Sequence, residues 1–139
     1  MNDNKPVSSP SQRTNPQRTD GARLFRGRLA YIESQTTMDD IKAWMNNVYR
    51  PMPQASWWYG LYQFDTSQEP AGGWGWANAD GTLNHMADYI GWRTGEPGDC
   101  CPRPSNCGAI DNHINPVSFG AGDGWCEYAN HFLCETAVQ

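Results

Sequence analysis

Five cysteines, three histidines and an excess of carboxylates are the residues of this 139-residue chain best suited to chemistry. Cys100, Cys101, Cys107, Cys126 and Cys134 all lie in the C-terminal part of the sequence. In a small chain rich in glycine and proline, that usage points to disulfides and an oxidising compartment. An odd total leaves at least one thiol unpaired within a monomer. His85, His113 and His131 are scattered, with no metal-ligand spacing between them. There is no His–Cys pair at local motif spacing, no Gly-x-Ser-x-Gly and no glycine-rich phosphate loop. Asp39 and Asp40 are better explained by a helix start than by acid–base work. Nothing in the sequence supports an enzyme, and the chain is read as a non-enzyme.

Charge divides the chain in two. Residues 1–28 carry six cations against two acids, a net of +4, and residues 29–139 carry four cations against thirteen acids, a net of −9. An acidic body disfavours nucleic acid, whose phosphates need clustered cations. It is compatible with calcium, which takes carboxylate and carbonyl oxygens, and equally with acids that only keep the domain soluble. No stretch approaches the ~18 apolar residues of a membrane span. The polar N-terminus shows no apolar signal segment, although the cysteines point outside the cell. The expectation is a secreted protein whose true start lies upstream.

The elements that must position these residues follow from composition and period. Residues 1–22 are rich in Asn, Ser, Pro, Gln, Arg and Thr and are expected to be a disordered basic tail; residues 23–139 form the folded domain. Leu29 to Ile32 reads as a short strand or strand-like entry. Thr37 reads as a helix N-cap, with Asp39 and Asp40 in the first turn. Met38, Ile41, Trp44, Met45 and Val48 then make one apolar face, and Arg50-Pro51 ends the helix. Ser56 to Phe64 is the strongest strand signal. Residues 68–73 read as a turn, Trp74 to Ala77 as a strand, and Asn78-Ala79-Asp80-Gly81 as a turn ending in a residue suited to positive φ. Tyr89 to Trp92 reads as a buried anchor. Thr94 to Asn106 is a long surface loop, the kind of segment that carries function. Cys107 to Asp111, Gly124 to Tyr128 and His131 to Glu135 are the expected closing strands. Trp58, Trp74, Trp76 and Trp92 are core anchors in this reading, with stacking against a sugar as the alternative.

An ordered set of motifs runs from Gly27 to Glu135. It comprises Gly27-Arg28-Leu29-Ala30-Tyr31-Ile32-Glu33-Ser34, Trp58-Tyr59-Gly60-Leu61, Trp74-x-Trp76 with Asp80-Gly81, and Cys107, Cys126 and Cys134. Together these resemble the C-type lectin-like domain, an α+β fold of small antiparallel sheets with one or two helices and a long loop region. The resemblance implies a Cys107–Cys126 disulfide. It leaves Cys134 without its usual partner on an upstream helix, because residues 1–28 contain no cysteine. It also implies that the family's first strand and helix are missing, so that the terminal strand becomes an open edge. Cys100 and Cys101 are extra to the family's minimal pattern, free to pair with each other or with another chain.

The same resemblance gives a ligand set to test. In that family the sugar-binding calcium takes oxygens from a Glu-Pro-Asn or Gln-Pro-Asp triplet, from an acid two residues before the second cysteine, and from an Asn-Asp pair before the third. Glu96-Pro97 matches the triplet's opening and Asp123 matches the Asp; Gly98, Ser105 and Gly122 replace the other three. Asp99 can stand in if the loop shifts by one residue. The candidate calcium and sugar contacts are therefore Glu96, Asp99 and Asp123, with calcium bound weakly or not at all. The resulting expectation is a carbohydrate-binding recognition domain. Its competitors are a calcium-independent domain for an extracellular protein ligand, and a matrix component crosslinked through Cys100, Cys101 or Cys134.

Overall fold

The structure, a computed structural model, describes residues 7–8, 13–14, 27–98, 105–114 and 117–136. Its elements in chain order are β1 (Val7–Ser8), β2 (Arg13–Thr14), β3 (Gly27–Leu29), α1 (Gln35–Val48), β4 (Ala55–Gln63), a 3-10 turn (Thr66–Gln68), β5 (Trp74–Ala77), β6 (Leu83–Met86), β7 (Cys107–Ile114), β8 (Val117–Gly124) and β9 (Ala129–Thr136). The architecture is α+β.

The β4 strand organises the rest. Its residues alternate between two sides, as a pleated strand requires, and both sides are buried. Trp57, Tyr59 and Leu61 enter a core shared with Met38, Ile41 and Met45 of α1, with Trp74 and Trp76, and with Ile110 and Leu133. Trp58 enters a second core with Leu29, Cys107, Ala109, Phe132 and Cys134. The first half of β4 pairs antiparallel with β7 and parallel with β9, and its second half pairs antiparallel with β5. Gly60 lets this strand cross the chain at Ala30: its N–H donates to Ala30 O at 2.8 Å, and a Cβ there would meet that oxygen at 2.9 Å.

The helix begins a turn before the expected cap. Ser34, not Thr37, is the N-cap, and its hydroxyl accepts from the Thr37 N–H at 3.1 Å. Asp39 and Asp40 consequently lie beyond the first turn. Val48, expected on the apolar face, is exposed. Gly81 turns with φ +89° after Asp80, as read from the sequence.

Three other expectations are corrected. First, β9 is not an open edge. It lies between β4 and β1, and β2 and β3 also pair with it, with Val7 and Leu29 both in register with Cys134. Two of these short ladders, Val7–Ser8 and Arg13–Thr14, fall in the tail expected to be disordered; the rest of residues 1–22 lies outside the described residues. Second, residues 125–128 are a turn, closed by Tyr128 N–H to Trp125 O at 3.0 Å, and the strand lies upstream at Val117–Gly124. The glycines of that segment give it little strand propensity of its own, yet all eight of its residues pair with β7. Third, Tyr89 to Trp92 is half-buried rather than buried. The Trp92 ring stands edge-on to Trp74, centroids 5.1 Å apart.

Candidate functional site

The long loop leaves the sheet beside β8. Arg93 N–H donates to Ala121 O at 2.9 Å, and Ala121 N–H donates to Gly91 O at 2.8 Å, so residues 91–93 run as a strap along β8. Glu96 N–H then donates to Arg93 O at 3.0 Å, which turns the chain and aims the Glu96 side chain back at the sheet. Gly95, at φ +89°, adopts the left-handed conformation that this turn needs and that a residue with Cβ avoids. The Glu96–Pro97 peptide is cis.

Two of the three sequence-predicted residues meet here. Asp123 N–H donates to Glu96 Oε1 at 3.2 Å, and Gly98 N–H donates to Asp123 Oδ1 at 2.9 Å. Each carboxylate thus holds a backbone amide of the other's segment, a reciprocal clamp between loop and strand. Asp99 lies outside the described residues, as do Cys100 and Cys101.

Two participants were missed by sequence reasoning. Asp111 on β7 is buried; its Oδ1 accepts from the Ser56 hydroxyl at 2.6 Å, and its Oδ2 accepts from Arg93 Nε at 3.3 Å. The Arg93 guanidinium also lies 3.8 Å from Glu96 Oε2. A lone Asp inside an apolar strand was the available signal for the first, since a buried charge needs a partner. Arg93 carried no signal beyond being one of four cations in residues 29–139.

Burial governs the electrostatics. It raises the Glu96 carboxyl to about 7, helped by the neighbouring Asp123, while Arg93 pulls the other way. Burial likewise raises Asp111, opposed by the Ser56 hydroxyl and by Arg93. Because Glu96 binds its proton more tightly in the folded state than at its ordinary value of 4.5, its protonated form favours folding. That contribution is complete below 4.5 and disappears as pH rises through about 7. The melting temperature is therefore expected to fall between pH 5 and 8, and Glu96→Gln to flatten that part of the profile. A scan of Tm against pH on both proteins decides it; identical slopes would remove Glu96 as the cause.

The described residues of this site do not fit a calcium ion. Calcium takes roughly six to eight oxygens. Here the two matching carboxylates are each engaged with a backbone amide, and Gly98 and Gly122 offer no side-chain oxygen. The space that a side chain at 122 would need is filled: a Cβ there would collide with Asp111 Oδ2 and stand 3.1 Å from Glu96 Oε1. Among the described residues, no three His, Cys, Asp or Glu side chains gather in a metal-holding group.

Cys107, at the start of β7, is bonded to Cys126 in the turn after β8, with Cα atoms 5.3 Å apart. Cys134 is a free, buried thiol on β9. Trp58, Trp74 and Trp76 are buried in the cores and offer no ring to a sugar.

No family model matches the sequence, and no curated protein matches it. Solved structures do match. The human scavenger receptor C-type lectin carbohydrate-recognition domain superposes with a TM-score of 0.68 at 22% identity, covering 99% of this chain and 95% of that one. The C-type lectin domain of murine dendritic cell inhibitory receptor 2, in complex with N-glycan, gives 0.66 at 19% identity, covering 96% and 92%. A Ca2+-dependent type II antifreeze protein in its Ca2+-free form gives 0.67 at 14% identity, covering 95% and 90%.

Proposed function

We propose that this chain, which has the C-type lectin-like fold, is an extracellular, non-enzymatic recognition domain that binds neutral glycan through the face of its long loop, with calcium contributing weakly or not at all. The observation that carries this reading is the convergence of Glu96 and Asp123 from loop and strand onto one polar face, beside Arg93 and Asp111. Carboxylate oxygens accept hydrogen bonds from sugar hydroxyls. Asp99, which lies outside the described residues, is assigned to the same set on its sequence position alone, three residues after Glu96. Among the described residues, Glu96, Asp111 and Asp123 against the single cation Arg93 make the face electronegative, which favours neutral sugars over sialylated or sulfated ones. A structure of like fold holds an N-glycan, in support of the ligand class. No helix among the described residues is long and apolar enough to cross a membrane.

A glycan array probed in calcium and again in chelator tests this. Binding to neutral glycans is expected in both conditions and is expected to weaken about tenfold or more on Asp123→Asn, since a hydrogen bond to a charged group contributes roughly 1.5–3 kcal/mol. Absence of signal in both conditions overturns the reading. It would favour a second reading, calcium-independent binding of a protein, which has its own support. Ile114 and Val117 flank the β7–β8 tip and are 56% and 85% exposed, an apolar projection suited to a protein partner. Crosslinking through Cys134 is disfavoured by the burial of that thiol.

A further inference from the structure

The Arg93 guanidinium faces two carboxylates from different elements, Glu96 on the loop at 3.8 Å and Asp111 on β7 at 3.3 Å. The Arg93, Asp111 and Glu96 side chains are only 15, 11 and 18% exposed. Charges held this far from water must be compensated within the protein. The backbone of Arg93 is itself fixed, its N–H to Ala121 O at 2.9 Å and its carbonyl to Glu96 N–H at 3.0 Å. Glycines of β8 make the room: a Cβ at Gly120 would meet Arg93 Cβ at 3.1 Å, and one at Gly122 would displace the Asp111 carboxylate. The cluster thus has an arginine, two acids, a hydroxyl and two glycines contributed by the strap, the loop, β4, β7 and β8.

We infer that Arg93 is a built-in cation that ties the long loop to β7 and β8 through Glu96 and Asp111, so that the loop face is assembled without a divalent metal. The disagreement between the residues present and a calcium cradle is then not a degraded site but an alternative way of neutralising the same region of the fold. The inference concerns how the face is held and does not depend on which ligand it binds.

The test is thermal melting and amide exchange of the full chain at pH 8, where Glu96, raised to about 7, is ionised, in EGTA and in millimolar calcium chloride. The unaltered protein is expected to melt at the same temperature in both. Arg93→Gln leaves the two carboxylates without their cation. It is expected to lower Tm by on the order of 10 °C and to speed exchange across residues 94–98. Calcium is expected to raise the Tm of Arg93→Gln while leaving the unaltered protein where it was, a response that a merely structural arginine would not produce. Arg93→Lys, a point charge without the guanidinium fork, should fall between the two. Adding Asp111→Asn to Arg93→Gln should recover part of the loss by removing one unpaired acid. A calcium-dependent rise in the unaltered protein overturns the inference, as does an Arg93→Gln variant that melts like its parent. Should Arg93→Gln not fold, the calcium titration of the unaltered protein and of Arg93→Lys decides by the same criterion.

Discussion

Trp58→Ala is expected to destabilise the domain by roughly 3–5 kcal/mol, the range for truncating a fully buried aromatic residue. The ring is buried at the centre of the second core, against Leu29, Cys107, Ala109, Phe132 and Cys134. It also braces the end of β8, the strand that carries Asp123. Its Nε1 donates to Tyr128 O at 3.0 Å, fixing the turn after β8, and a Cβ at Gly124 would meet the ring's outer edge at 3.1 Å. Substitution by alanine therefore opens a cavity and releases the carbonyl that holds the turn. Since small domains are stable by only about 5–15 kcal/mol in total, the variant should sit close to unfolding at room temperature. Urea unfolding followed by circular dichroism measures this, because fluorescence would change with the indole itself. Trp58→Phe keeps most of the volume and loses the hydrogen bond, so its loss should be smaller. A loss under about 1 kcal/mol for the alanine variant would contradict the core assignment.

Replacing Cys107 and Cys126 together by alanine is expected to lower stability by about 3 kcal/mol, the chain-entropy value for a crosslink of this span. The sequence separation is 19 residues, and the bond fastens the start of β7 to the turn beyond β8. Cys107 is buried and its backbone stands in register with Tyr62 of β4 and Gly124 of β8, so the disulfide anchors the turn at a level where three strands pair. Alanine is preferred to serine, because a buried hydroxyl without a partner would add a further penalty of roughly 1–3 kcal/mol. The measurement is the denaturation midpoint with and without reductant. Parent and variant should differ in oxidising buffer and converge in reducing buffer. Persistent separation under full reduction would assign the effect to lost packing rather than to the crosslink.

The parts of the fold legible in the sequence were those written in large side chains. Trp58-Tyr59-Gly60-Leu61 and Trp74-x-Trp76 announce strands because their rings fill the cores, and the Cys107–Cys126 pairing followed from their place in a family pattern. Segments whose structure is imposed by neighbours were not legible. The glycine-rich β8 has little propensity of its own and is specified by the ladder to β7. The β6 residues are all exposed, so no apolar alternation marks them. β1 and β2 each consist of two residues paired to β9, too short for any periodic signal. The helix start was displaced because Ser34 and Thr37 are both competent caps, and only the chain's path out of Ile32 chooses between them.

The candidate site was half legible for a related reason. Glu96 and Asp123 could be placed by motif position. Arg93 and Asp111 come together only because the strap along β8 brings residue 93 over the face of β7, a juxtaposition eighteen residues apart in sequence. Gly98 and Gly122, which looked like simple losses, have a use in the folded protein: the first donates its amide to Asp123, and the second leaves the space that the Asp111 carboxylate occupies.

The buried thiol on β9 has one more consequence. Burial raises Cys134 to about 12, so at neutral pH the sulfur is a thiol rather than the nucleophilic thiolate, and it is shielded on both counts from alkylating reagents. Its strand is held between β4 and β1, and its own backbone is in register with Val7 and Leu29. Alkylation at position 134 therefore requires β9 to detach. The molecule carries its own reporter of that event: the rate at which peptide mass at this cysteine shifts, under excess reagent, tracks how much of the population has β9 open.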